Sequence, residues 1–321
     1  MSLFASWIAS PPPDAAIEIA ADRVAVGVVA ERASGLVVQS YAAEPLPPGA
    51  VVASLTSSNI HNRAAVTAAL RTALDRAGAR ARRVALVIPD LAAKVSLLRF
   101  DTLPARREDL DQLVRWQVKK AAPFPIEEAV VTYTPAARTG DGSAEFLVLT
   151  ARRDVIAEYE AVCEELKVYP GLVDLATLSV VNLFLGGPGK PSGDWLVVHL
   201  RPESTSIVIM RGEHVIFFRN RPEGDEAAIA DLVHQTAMYY QDRLAGDRFS
   251  RVFLGGGGRT PGAVETARRN LEERLGALVE PIDPTHAAAL TDRISITGDL
   301  MDVLGPLVGM AVRTQKETVP A

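Results

Sequence analysis

The sequence predicts an α/β protein of two related lobes, with a small α+β unit inserted in the first. Three observations predict it. The chain has 321 residues, more than one ordinary hydrophobic core organises. The run Gly186-Gly187-Pro188-Gly189-Lys190-Pro191-Ser192-Gly193 has the composition of a linker. On each side of it, consecutive strands are followed by helices, an echo of pattern rather than of residue identity.

Residues 17–41 are strand-like, with a β-branched run at 24–30 and Gly35 punctuating before 36–41. Pro45, Pro47 and Pro48 lead to a helix over 63–77 whose stripe is Val66, Leu70, Leu74 and Ala77, and Gly78 supplies its stop. Residues 84–88 and 95–100 read as strands. A helix on Leu110, Leu113, Val114 and Val118 begins after Pro104 and must end before Pro123. Strands at 129–134 and 146–151 follow, then a helix on Val155, Ile156, Tyr159, Val162, Cys163 and Leu166. The order β, β, α, β, β, α assigns 84–166 to the inserted unit.

A strand at 168–173 and a helix over 174–185, with Asp174 as its N-cap, return the chain to the first lobe. Beyond the linker come strands at 195–200, 206–210 and 214–218 and a long helix over 226–244. The expected division is a leader over 1–13, a first lobe of 14–83 with 167–189, the unit at 84–166, and a second lobe over 190–301. A helix is expected at 302–314, and its packing back on the first lobe is what the family resemblance drawn below implies. The leader holds Leu3, Phe4, Trp7 and Ile8 with no charge over 1–10. It reads either as a disordered segment ending at Pro11-Pro12-Pro13 or as a short interfacial or partner-binding anchor.

Composition narrows the function. Hydrophobic residues make up 48% and charged residues 23%, which is globular, and the formal charge of −5 argues against a nucleic-acid partner. The single cysteine, Cys163, permits no disulfide within the chain, lies on the apolar face of its helix, and reads as a buried small hydrophobe. No apolar run approaches the ~20 residues of a membrane-spanning helix. The five histidines show no His-Glu-x-x-His spacing, and no Gly-x-Ser-x-Gly elbow occurs. No metal site is expected. Arg115, Lys119 and Lys120 form a basic helix face, which is either simply solvated or meets acidic lipid or a partner tail.

The most specific stretch is Val252-Phe253-Leu254-Gly255-Gly256-Gly257-Gly258-Arg259-Thr260-Pro261-Gly262, a strand, a glycine turn and a helix start. Glycines there let backbone approach a ligand at a helix N-terminus. Met238-Tyr239-Tyr240-Gln241 stands upstream, and Leu275-Gly276-Ala277-Leu278-Val279-Glu280-Pro281-Ile282-Asp283-Pro284 downstream. Leu304-Gly305-Pro306-Leu307-Val308-Gly309-Met310-Ala311-Val312-Arg313 closes the chain. This succession resembles the adenosine-side segment and closing helix of the PilM-type cytoplasmic proteins of type IV pilus and type II secretion machines, relatives of FtsA and actin. In the middle, Leu103-Pro104 and Pro123-Phe124-Pro125-Ile126-Glu127-Glu128 are similar to that family's inserted subdomain, and Gly171-Leu172-Val173-Asp174 to its return.

The resemblance implies an actin-like fold of two lobes with an FtsA/PilM-type insertion. Active relatives carry two phosphate loops built from a carboxylate and small residues. At the first place this chain reads Glu18-Ile19-Ala20-Ala21-Asp22-Arg23: the carboxylate is retained, but Ala20 replaces a glycine, and Asp22 and Arg23 replace hydroxyl donors. At the second it reads His199-Leu200-Arg201-Pro202-Glu203-Ser204-Thr205, where His199 cannot replace a carboxylate as a magnesium ligand and Pro202 removes an amide. Glu18, Ser204 and Thr205 are the degenerate phosphate-loop candidates. Gly255, Gly256 and Gly257 are the vestigial adenosine-side loop. Such losses remove the electrostatic stabilisation that phosphoryl transfer needs.

The resemblance therefore implies a pseudo-ATPase scaffold with no expected cofactor, peripheral to the cytoplasmic face of the inner membrane. It implies binding of the N-terminal tail of a PilN-type membrane protein, in a groove between the first-lobe core and the insertion, alongside other pilus or secretion platform proteins. Arg115, Lys119 and Phe124 are the candidate partner contacts. The alternative is an ATP-binding actin-like ATPase or polymer former with an unorthodox phosphate site. A third reading, kinship with the cytoplasmic domain of GspL-type secretion proteins, is disfavoured because the chain ends at Ala321 without a membrane helix.

Overall fold

A computed structural model describes residues 13, 15–33, 35–138, 143–186, 189–222, 226–257, 262–291, 294 and 297–318. Residues 1–12 of the leader and the Gly258-Arg259-Thr260-Pro261 part of the glycine turn lie outside the described residues.

The first sheet begins as an antiparallel meander of β1 (Ala15–Ile19), β2 (Arg23–Arg32) and β3 (Gly35–Pro45). β4 (Arg83–Ile88) then adds parallel to β1, and β8 (Tyr169–Leu175) parallel to β4. The second sheet repeats this plan. β9 (Asp194–Arg201), β10 (Ser204–Arg211) and β11 (His214–Pro222) form a meander, β12 (Arg251–Gly255) lies parallel to β9, and β13 (Val279–Pro281) parallel to β12. The strand orders β3-β2-β1-β4-β8 and β11-β10-β9-β12-β13 correspond strand for strand. The echo read in the sequence is thus a duplicated topology. It follows that the β1–β2 turn and the β9–β10 turn are equivalent positions.

The helices are α1 (Arg63–Ala77), α2 (Arg107–Lys119), α3 (Arg153–Glu165), α4 (Ala176–Gly186), α5 (Glu226–Arg243), α6 (Ala263–Leu275) and α7 (Gly298–Thr318). α1 is capped at one end by the Asn62 side chain, which accepts from the Ala65 amide, and at the other by Gly78 in the left-handed region. α4 and α7 cross at a point where a Cβ on Gly309 would lie 1.8 Å from the Ser179 carbonyl oxygen, so only glycine fits. Phe184 of α4 stacks on Phe253 at 4.1 Å and meets Trp195 edge-on at 5.4 Å, joining the second lobe to the core of the first.

The inserted unit is smaller than expected. Its sheet holds only β5 (Ala93–Phe100), β7 (Ala144–Arg152) and β6 (Ala129–Arg138), in the order β5-β7-β6. β4, read as its first strand, belongs instead to the first-lobe sheet. Its unbroken run Val84-Ala85-Leu86-Val87-Ile88 is buried throughout, the mark of a parallel strand covered on both faces. α3 also leaves the unit: Val155, Tyr159, Val162 and Cys163 bury in the first-lobe core beside Val66 and Leu70 of α1. Burial pushes the Cys163 thiol up to about 12. A short β14 (Ala288–Leu290), within the stretch assigned to the second lobe, crosses back to pair parallel with β3. α7 lies against β1, β2 and β4.

Candidate functional site

Candidate residues gather in two places: the seam between the lobes, and a groove beside the inserted unit.

At the seam, the equivalent turns face each other. Glu18, 1% exposed, stands near the end of β1, and Arg201 ends β9. Arg201 Nη2 lies 2.8 Å from Glu18 Oε1. Arg23, opening β2, places Nη2 3.4 Å from Glu18 Oε2 and donates to the Asp302 carbonyl at 3.3 Å. That carbonyl is free because Pro306, four residues on inside α7, has no N–H to offer it. The Asp302 carboxylate in turn accepts from the Gly256 amide at 2.9 Å. Burial pulls the Arg201 guanidinium down, but Glu18, Glu203, Asp22 and Asp90 together more than reverse this and hold it charged.

Behind this pair lies a second buried network. Asp90, from the turn after β4, accepts the Thr177 amide at 3.0 Å, the Ser206 hydroxyl at 2.6 Å and the Thr177 hydroxyl. Thr177 Oγ1 also lies 2.8 Å from His199 Nδ1. The threonine proton is given to Asp90, so His199 donates through Nδ1–H. Burial, then the charges of Arg201 and Arg23, hold His199 well below its usual value and hence neutral. Burial pushes Asp90 up, opposed by its hydrogen bonds from Ser206 and Thr177. Four residues from two lobes thus form one polar bolt.

The glycine turn closes onto this seam. Gly256 has φ +100, and a Cβ there would lie 1.9 Å from the Leu200 carbonyl oxygen. A Cβ on Gly255 would meet Ile282 at 2.7 Å, while Gly257 has only Asp302 Oδ2, at 4.0 Å. Ser204 and Thr205 are buried, at 1% and 5% exposed. Along this seam Glu18 and Ser204 adjoin Arg201, Thr205 and Gly256 adjoin Leu200, Gly255 pairs with His199, and Gly257 lies nearest Asp302. Asp90, Thr177, Ser206 and Asp302 escaped the sequence reading. The available signals were an acid directly after a buried strand and a proline inside the closing helix.

The groove lies between two strand edges that, among the described residues, lack an outer neighbour in their sheets, β6 of the small sheet and β8 of the first lobe. A cavity of about 480 Å³ is lined there by Val130, Thr132, Leu149, Ile156 and Leu172. A second, of about 440 Å³, shares Thr132, Leu149, Leu172, Val173 and Asp174 and reaches Met210 and Val215 of the second lobe. Asp174, read as an N-cap, lies within β8. It accepts from its neighbour Leu175 at 2.8 Å and from Arg313 of α7. Burial pushes its carboxyl up, opposed by Arg313.

The pleat separates this groove from the predicted contact residues. Val131, Tyr133, Phe146 and Val148 pack under α2, so the alternate residues Val130, Thr132, Leu147 and Leu149 face the other way. Arg115 and Lys119 are exposed on α2, across the small sheet from the groove, and Phe124 is half-buried in the turn after it. Trp116 of α2 is 57% exposed.

Among the described residues, no His, Cys, Asp and Glu group could hold a metal ion, and no helix is long and apolar enough to cross a membrane. Compared with known proteins, residues 16–243 match the family described as Type IV pilus assembly protein PilM. No curated protein sequence matches. Among solved structures, a PilM-PilN type IV pilus biogenesis complex is similar over 97% of this chain and 100% of its own, with TM-score 0.80 and 18% identity. Two more distant likenesses both have TM-score 0.48 and carry no argument. They are a Bacteroides thetaiotaomicron protein of actin-like ATPase fold, 9% identical over 98% and 99% of the two chains, and the cytoplasmic domain of EpsL of the Vibrio cholerae type II secretion system, 11% identical over 96% and 95%. The chain shares its fold with that PilM-PilN complex and belongs to the PilM family of type IV pilus assembly proteins.

Proposed function

We propose that this chain is a non-catalytic scaffold of a type IV pilus or type II secretion platform, at the cytoplasmic face of the inner membrane. It binds the N-terminal tail of a PilN-type membrane protein in the groove between β6 and β8. One observation carries the reading: an apolar groove bordered by two strand edges, which offers main-chain pairing and side-chain pockets to an extended segment. The solved relative was described as a complex with PilN, which supports the same class of partner.

The seam supports the non-catalytic part of the proposal. A magnesium–phosphate pair needs a free carboxylate and open amides, whereas Glu18 is engaged by Arg201 and Arg23, and Gly256 packs on Leu200. The guanidinium supplies at Glu18 the positive charge that a metal supplies in active relatives.

Titrating a labelled PilN-type tail peptide tests the groove. Leu149→Ala with Leu172→Ala removes apolar contacts from its centre and is expected to weaken binding at least ~tenfold. Binding left intact by this pair of changes, in protein that melts normally, counts against the groove.

A further inference from the structure

The C-terminal half of α2 presents an unusual surface. Trp116 is 57% exposed, with Lys120 Nζ held 3.8 Å from its ring centroid. Arg115, Lys119 and Lys120 are all exposed around it. The acids of the helix, Glu108, Asp109 and Asp111, are confined to its first half. Glu127, 4.0 Å from Lys119, and the exposed Glu128 are the nearest opposing charges from the following turn. A local cationic, aromatic face therefore stands on a chain whose formal charge is −5.

We infer that this face docks on an anionic bilayer surface. Its chemistry matches that of an interface: an indole seats at headgroup depth, and flexible cations surround it to meet lipid phosphates. The face is a convex helix flank with a single large aromatic, suited to a soft plane rather than to an inserted peptide. It also lies across the small sheet from the groove, so a tail bound there leaves it free.

The test uses the full chain and vesicles of phosphatidylglycerol with phosphatidylcholine, against phosphatidylcholine alone. A Trp7→Phe background leaves Trp116 as the responsive indole, since Trp195 is 0% exposed. The expected result is phosphatidylglycerol-dependent co-sedimentation, a blue shift of Trp116 emission, and reversal by salt. Arg115→Glu with Lys119→Glu and Lys120→Glu is expected to weaken this at least ~tenfold while leaving tail binding unchanged. If that variant melts early, Lys119→Gln with Lys120→Gln gives the same comparison with less disturbance. No blue shift at low salt overturns the inference, as does vesicle binding unaltered in a folded variant. Capture of an acidic protein segment by this face without vesicle binding overturns it too.

Discussion

Arg201 Nη2 sits 2.8 Å from Glu18 Oε1, across the seam between two strand ends that the duplicated topology makes equivalent. The side chains are 3% and 1% exposed, so their charges are answered almost entirely by protein. Removing one partner strands the other, whereas removing both is far less costly. Glu18→Gln is expected to lower the unfolding free energy by ~3 kcal/mol, at the low end for a buried pair because Glu203 and Asp22 also act on Arg201. Glu18→Leu with Arg201→Met is expected to recover most of that loss. Urea titration of the singles and the double measures the coupling; additive losses contradict a bridge.

Nucleotide should find no vacancy at this seam. A ligand at a hundred times its dissociation constant stabilises by ~2.7 kcal/mol. Millimolar ATP with magnesium is therefore expected to leave the melting temperature unchanged. A magnesium-dependent rise that Glu18→Ala abolishes reinstates the ATP-binding alternative.

The His199 network sets a pH dependence with a definite sign. Its pKa in the folded protein is depressed from the ordinary 6.5. The unfolded chain therefore takes up a proton first as pH falls, and stability is lost below about 6.5. Above that value the contribution is complete. Each pH unit in the window removes up to ~1.4 kcal/mol. His199→Asn keeps a donor toward Thr177 but cannot titrate, and is expected to flatten this slope. The raised carboxyls of Asp90, Asp174, Asp302 and Glu203 act in the opposite sense, losing stability as pH rises from the ordinary carboxyl value toward their raised ones. The comparison must be between the two proteins at each pH; equal slopes refute the assignment.

The glycine turn separates two roles. Gly256→Ala combines a strained φ with contact against the Leu200 carbonyl and is expected to cost at least ~2 kcal/mol. Gly257→Ala meets nothing closer than 4.0 Å and should change stability by under ~0.5 kcal/mol. Thermal melts distinguish them, and equal losses contradict a turn closed by packing.

Much of this architecture was legible in the residues. The stripe of α1 with its Gly78 stop, the linker before β9 and the two strand-rich starts each follow from local chemistry. The edges of the inserted unit did not, because sequential order hides which sheet a strand joins. β4 is joined to β5 by one short turn yet pairs with β1 and β8. The missing carboxylate and glycine of the phosphate loops were visible, and so were the arginines beside them. That Arg201 reaches Glu18, 183 positions away in the chain, depends on the lobes meeting and has no local signature. Family resemblance implies the groove but not its lining: a basic helix is conspicuous in sequence, whereas the pleat that sets α2 and the groove on opposite faces of the small sheet is not.

Hydrogen exchange with and without the PilN-type tail peptide tests the central claim most directly. Slowed exchange is expected along 129–136 and 169–175, the two strand edges that border the groove, with the seam at 18–23 and 199–206 unchanged. Slowing absent from both edges, or confined to the seam or to α2 at 107–119, contradicts it.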